Sequence, residues 1–467
     1  GSILDRNNQV LAISTAVYNI ALDPLQLAEV SEEEQEKTLS ALCEKYPELD
    51  YVTLKGYITV NSQTGEINLP THWKYLVKEI SREEKEALEA LDLQGVYFEQ
   101  TSKRSYPLQA LACHVIGFSR GDASWGLERE YNDVMTGTNG RSFIVYSGAN
   151  SVTYETYAPE DGQSIVTTLD YNIQQIAEEA VEKTATQWPS QNVAAIVMNP
   201  NTGEIYAMAN SGRYNLNDPS VPLEVEKSET FAQTWENMSS EEQTEYLNNI
   251  WKNFCISSTY EPGSIFKPIT VAAAYEEGVI DANDTFVCNG HILVEDTDID
   301  CHLTSGHGTL NVEGVMAQSC NPGVVQIAQR LGVEKFYQYF KDFGFGELTG
   351  IDLPGEVSAN NLIQTEAEVG PVELATMSFG QTFNCTSLQI INAFATLING
   401  GNLMQPYVVS QIVDEDGTVV MENTPKVVRK VISTKTSDYI RTSLKATVEY
   451  GTAKKIAVAG YSIGSKT

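Results

Sequence analysis

The sequence predicts a multidomain α+β fold, a β-rich N-terminal domain followed by a larger domain in which helices lie between sheet-forming segments. Three observations carry that expectation. The chain has 467 residues, more than one hydrophobic core usually organises, and at 42% hydrophobic it has enough apolar side chains to fill two cores. A stretch rich in Gly, Ser, Thr and Tyr runs from Gly137 to Gly162 and ends in the turn Pro159-Glu160-Asp161-Gly162, which divides the chain into residues 1–158 and 159–467. Strand-like patterns open the second part at Ser164–Thr168 and close it at Lys455–Ile463, with helical patterns between them.

Taken in order, the first part mixes short strands with charged helices. The clearest helix is 81–91, where Ser81 caps and Arg82-Glu83-Glu84 makes an acidic first turn. In the second part, Asp170 caps a helix whose apolar positions Ile173, Ile176, Ala177, Ala180, Val181, Ala185 and Trp188 recur with helical spacing and predict one buried face. Val193–Met198 and Glu204–Ala209 flank the turn Asn199-Pro200-Asn201-Thr202-Gly203 and read as a β-hairpin. The polar, acidic segment Arg213–Lys252 reads as an insertion. Helical patterns then dominate 266–343 and return at 386–397.

Composition narrows the function classes. Thirty basic against 62 acidic side chains give a net charge of -32, which repels nucleic acid and anionic lipid, so no nucleic-acid partner is expected. No run approaches the roughly 18 apolar residues of a membrane span, and no signal peptide opens the chain at Gly1-Ser2-Ile3. Seven cysteines lack CxxC spacing and the five histidines are scattered apart from His302 and His307, so the spacing supports neither a zinc site nor a redox motif. Cys288 and Cys301 bracket an acidic loop. A disulfide closing it would add about 3 kcal/mol in the chain-entropy model, with two free thiols as the alternative.

Chemistry concentrates at Tyr260-Glu261-Pro262-Gly263-Ser264-Ile265-Phe266-Lys267. A turn leading into a helix sets Ser264 in the first helical turn and Lys267 one turn on, so hydroxyl and amine are expected to face each other. Pro268 suits an early helical position, and the positive end of the helix dipole helps to keep Lys267 partly neutral. A neutral amine can take the hydroxyl proton and make Ser264 a nucleophile. Further on, Ser319-Cys320-Asn321 offers a proton relay and a group to hold an amide, while Lys466-Thr467 offers a charge and a hydroxyl for a carboxylate.

In this order the three motifs resemble the Ser-x-x-Lys, Ser-x-Asn and Lys-Thr-Gly set of penicillin-binding proteins and serine β-lactamases. The rest of the chain resembles class B penicillin-binding proteins. Gly1-Ser2-Ile3-Leu4-Asp5-Arg6-Asn7-Asn8 is similar to the box that opens their extracytoplasmic part, and Lys103–Pro107, His114–Phe118 and Gly126–Glu128 are similar to their pedestal motifs. Hairpin 193–209 and Ala375–Gln381 are similar to their transpeptidase domain, and Trp251-Lys252-Asn253 with the preceding insertion to the Gram-positive division and sporulation branch. Cys320 inside the second motif and Ser465 before Lys466 depart from the usual pattern.

The resemblance implies a pedestal over 1–158, used for dimerisation or partner binding, and a transpeptidase domain over 159–467 with an antiparallel sheet between helices and its last strands still to come. It implies a DD-transpeptidase without cofactor: Ser264 is the acylated nucleophile, Lys267 its base, Ser319 and Asn321 assist, and Lys466 and Thr467 bind the substrate carboxylate. Stem peptides of peptidoglycan, β-lactam antibiotics, a SEDS-type glycan polymerase and a division or sporulation complex are the implied partners. The implied location is the outer face of the cell membrane, with an N-terminal anchor outside this chain. A scaffold that stimulates the polymerase, and a serine β-lactamase, are the alternatives.

Overall fold

The computed structural model describes residues 1–120, 123–146, 152–188, 190 and 192–467, so residues 147–151 of the expected linker lie outside the described residues. The chain divides into two units. One is Ala12–Pro107, and the other combines Gly1–Leu11 with Leu108–Thr467. The division at Leu108 lies upstream of the Gly-rich stretch at 137–162.

In the smaller unit, Ile13–Leu22 of strand Val10–Leu22 pairs antiparallel with Lys74–Ile80 and with Val96–Ser105. Helices Glu32–Lys45 and Arg82–Glu89 both start on a capping box, Ser31 with Glu34 and Ser81 with Glu84, as the Ser-x-x-Glu spacing dictates. Their apolar stripes meet the inner strand face, where Ile20, Leu22, Leu39, Leu42, Leu54 and Leu88 form a core.

The larger unit is built on strand Ser164–Thr167, which pairs antiparallel with Val409–Val413 on one side and in parallel with Ile3–Leu4 on the other. The hairpin of Ala194–Met198 with Ile205–Asn210 forms as expected. Beside it lies helix Tyr171–Gln187, whose Asn172 and Ile173 N–H groups donate to Asp170 Oδ1 while that of Tyr171 donates to Asp5. Its inward face differs from the apolar pattern. Gln174, Ala177, Glu178 and Val181 are buried, whereas Ile176 and Trp188 are 67% and 65% exposed. Polar groups go inside because they find partners there. Gln174 exchanges two hydrogen bonds with the Met208 backbone, and Glu178 accepts from Ala112 N–H and from Arg213.

Helix Lys267–Glu276 runs through the main core, with every side chain from Lys267 to Ala274 buried. A helix apolar on all sides belongs in the interior. It is surrounded by helices Asn321–Leu331, Val333–Asp342, Ser387–Ile398 and Thr434–Glu449. Phe266, just before it, sits edge-on to Phe383 and Phe345, with ring centroids 4.9 and 5.2 Å apart. Truncating such a ring costs about 3–5 kcal/mol.

Two expected elements differ. Within 266–343, residues 285–311 form strands rather than helix: Thr285–Cys288 pairs with Gly308–Asn311, and His291–Val294 with Thr297–Asp300. The alternating burial of Phe286 and Cys288 has the strand period, and Gly290, Gly306 and Gly308 make the turns at positive φ. Residues 455–463, expected as a strand, hold only the end of a short 3₁₀ turn, Lys454–Ile456, and among the described residues no strand pairs with them. Without a neighbour to bond, an extended run is not a strand.

Candidate active site

Ser264 stands on a single 3₁₀ turn, Gly263–Phe266, that leads directly into helix Lys267–Glu276 with Pro268 in its first turn. Gly263 has φ of +62°, a value that costs glycine nothing. The turn is braced by the segment 378–385. Gly263 N–H donates to Gly380 C=O at 2.8 Å, Tyr260 and Cys385 exchange two backbone bonds of 3.0 Å, and Thr382 N–H donates to Glu261 at 2.8 Å. A Cβ on Gly380, itself at φ +86°, would lie 2.1 Å from the Gly263 carbonyl oxygen, so only glycine allows this approach. Sequence reasoning noted the run Ala375–Gln381 but not what Gly380 does.

Lys267 is 0% exposed. Its Nζ donates to Ser319 C=O at 2.6 Å, to Ser319 Oγ at 3.2 Å and to Asn321 Oδ1 at 2.6 Å. Among the described residues no hydrogen bond joins Lys267 Nζ to Ser264 Oγ. The amine is turned to the second motif, whose three oxygens compete for its protons. Burial pushes the Lys267 pKa down to about 8.

Ser319 lies between helices Val312–Ala317 and Asn321–Leu331, at φ of +52°, an uncommon value for a residue with a Cβ. That conformation turns its carbonyl and its hydroxyl toward Lys267. Lys466 reaches the same hydroxyl, with Nζ 2.8 Å from Ser319 Oγ. Burial, and after it the charge of Lys267, push the Lys466 pKa down to about 7. Two ammonium groups around one hydroxyl repel each other, so one of them can lose its proton near neutral pH. Thr467 shares a hydroxyl contact of 2.6 Å with Thr452. One of the two amide N–H groups of Asn321 donates to Asp300 C=O at 2.9 Å.

The structure thus brings Lys267, Ser319, Asn321 and Lys466 into one hydrogen-bonded group, with half-buried Ser264 on the turn before Lys267. Such a group can move a proton between a hydroxyl and an amine and can present a cation to an anionic substrate. Of the two alternatives for Cys288 and Cys301, the structure has the free thiols: all seven cysteines are free. Cys288 and Cys301 meet Cys320 and His307. Their spacing in sequence gave no sign of it, because strands and turns bring them together.

Two family matches fit this arrangement. The penicillin-binding protein transpeptidase domain matches residues 193–467, and the penicillin-binding protein dimerisation domain matches residues 1–124. The chain belongs to the class B penicillin-binding proteins. Among curated relatives of this family, the chain is 34% identical over 478 residues to stage V sporulation protein D of Bacillus subtilis, covering all of this chain and 68% of that protein. It is 26% identical over 475 residues to the probable peptidoglycan D,D-transpeptidase PenA of Neisseria meningitidis, covering 73% of it. Among solved penicillin-binding proteins, 2X from Streptococcus thermophilus superposes with a TM-score of 0.75 at 23% identity, covering 99% of this chain and 69% of that one. Penicillin-binding protein 3 of Mycobacterium tuberculosis, in complex with aztreonam, gives 0.67 at 22%, covering 99% and 79%. These two likenesses concern the fold.

Proposed function

We propose that this chain is a peptidoglycan DD-transpeptidase that works through an acyl-enzyme on Ser264. The observation that carries the reading is the buried Lys267 amine, drawn toward neutrality by desolvation and joined to Ser319 and Lys466 through one hydroxyl. In the neutral form Lys267 takes the proton of Ser264 Oγ. A bond forms from Oγ to the carbonyl carbon of the penultimate D-alanine, and the amide bond to the terminal D-alanine breaks. The leaving amine receives its proton through Ser319. The amine of a second stem peptide then attacks the ester, and its proton returns to Oγ as the C–O bond breaks. Backbone N–H of Ser264 stabilises the oxyanion in both steps, and Asn321 holds the peptide amide. Lys466 and Thr467 hold the terminal carboxylate, whose charge favours protonated Lys466 and leaves Lys267 as the base.

β-Lactams occupy the same site as acylating agents. The finer assignments come from the family. Residues 1–158 serve as the pedestal that receives a SEDS-type glycan polymerase within a division or sporulation complex, and an anchor helix outside this chain holds the protein to the outer face of the membrane. Among the described residues no helix is long and apolar enough to cross a membrane. The test is mass spectrometry after penicillin treatment. A penicilloyl adduct on the peptide bearing Ser264, with a lifetime of minutes to hours, supports the reading; fast turnover points to a β-lactamase, and an adduct elsewhere removes Ser264 from its role.

A further inference from the structure

Four soft or borderline ligands converge on one side of the Ser319–Asn321 turn. Cys288 ends strand Thr285–Cys288, Cys301 follows strand Thr297–Asp300, His307 lies in the turn before Gly308, and Cys320 caps helix Asn321–Leu331. Their ligand atoms all lie within 4.8 Å of one another. A tetrahedral zinc with bonds of about 2.3 Å to sulfur sets its thiolates roughly 3.8 Å apart, so the group is within about an ångström of that geometry. Cys301 Sγ and His307 Nδ1, at 3.6 Å, are already spaced as one edge of it.

The backbone is shaped for this convergence. A Cβ on Gly290 would stand 2.0 Å from Thr304 C=O, and one on Gly306 would stand 2.4 Å from Cys288 C=O, so two glycines let the ligand-bearing loops close on each other. Cys301 N–H donates to Gly290 C=O at 2.8 Å across the same gap. All three thiols are at most 2% exposed. Gly323 N–H donates to Cys320 Sγ at 3.4 Å, a contact that favours a thiolate.

We propose that Cys288, Cys301, His307 and Cys320 bind a zinc ion in a closed, structural Cys₃His site. Three thiolates with one imidazole suit zinc better than calcium or magnesium, which prefer oxygen, and four protein ligands leave no open position for catalysis. The ion ties the loops of 285–308 to the residue between Ser319 and Asn321. It also occupies thiols that would otherwise pair with one another outside the cytoplasm. This proposal does not rest on the transpeptidase reading, because its readout is metal content.

The experiment uses the full chain, purified without chelator and freed of any metal-binding tag. Elemental analysis is expected to find about one zinc per chain, and replacement by Co²⁺ is expected to give the thiolate charge-transfer and tetrahedral ligand-field bands of a sulfur-rich site. Cys288→Ser and His307→Ala lose the metal, whereas Cys43→Ser and His302→Ala keep it. Should the ligand variants fail to fold, the cobalt spectrum of the unaltered chain decides. Zinc below about a tenth of an equivalent after incubation with the ion, or a disulfide among Cys288, Cys301 and Cys320 in the protein as purified, overturns the proposal.

Discussion

Gly380→Ala should slow acylation of Ser264 far more than it loosens the fold. The new Cβ would lie 2.1 Å from Gly263 O and 2.6 Å from Gly263 N, where ordinary contact begins at 3.4 Å. The two backbones must therefore part by roughly an ångström, and the 2.8 Å bond from Gly263 N–H to Gly380 C=O goes with it. Alanine at φ of +86° adds strain of about 1–2 kcal/mol, and the lost bond about 1 kcal/mol, so we expect a stability loss of about 2–3 kcal/mol. Ser264 is the next residue after Gly263, and a reacting atom misplaced by about 1 Å can cost a factor of about 100 in rate. Second-order acylation by a fluorescent penicillin, read beside a thermal melt, measures both effects. Gly278→Ala is the control, since Gly278 has φ of +67° but nothing within 4 Å of its Cβ, so it should carry the strain without the rate loss. If Gly380→Ala acylates within about threefold of the unaltered chain, the turn is not held by this approach and the reasoning fails.

Ser264→Ala should abolish penicillin labelling with little change in melting temperature, because the side chain is half-buried and outside the core; surviving label on a gel would reassign the nucleophile. Lys267→Arg should lose most of the acylation rate, since a guanidinium stays protonated and cannot serve as base; near-normal stopped-flow rates would point to another activator. The pKa of Lys267 is lowered to about 8, so its neutral form grows as pH rises through that value; at saturating penicillin, whose carboxylate keeps Lys466 protonated, acylation should climb from pH ~7 to ~9, and a rate flat or falling over that window contradicts the role. Arg213→Met leaves the 4%-exposed Glu178 carboxylate without its 2.6 Å partner and should destabilise the protein by about 3 kcal/mol in urea titrations; no shift of midpoint would mean that Gln174 and Ala112 N–H suffice.

What sequence revealed, it revealed through local patterns. Ser264 and Lys267 declare themselves because a Pro-Gly turn followed by a helix fixes their surroundings within a few residues, and the capping boxes at Ser31 and Ser81 are equally local. The group around Ser319 was legible as motifs but not as geometry. That Lys267 donates to Ser319 and Asn321 depends on the left-handed turn at Ser319, which side-chain spacing does not encode. Hydrophobic periodicity misread helix Tyr171–Gln187 because it scores Gln174 and Glu178 as surface, whereas Met208, Ala112 and Arg213 supply them with partners inside. The thiol and imidazole cluster is hidden for the same reason: its members sit at strand ends, in a turn and at a helix cap, and only tertiary pairing brings them together.

The parallel pairing of Ile3–Leu4 with Ser164–Thr167 constrains the order in which the chain can fold. Ser2 donates its backbone N–H to Ser164 Oγ across a sequence separation of 162 residues, and the whole of Ala12–Pro107 lies within that interval as a unit with its own core. Strand Ile3–Leu4 therefore has to wait, unpaired, until its neighbour has been made. Collapse of the intervening unit in the meantime shortens the loop that must close, and closure entropy falls with loop length. A lesion in that unit, although remote in sequence from Ser264, would delay completion of the sheet in the other and leave an open strand edge exposed to aggregation while it waits.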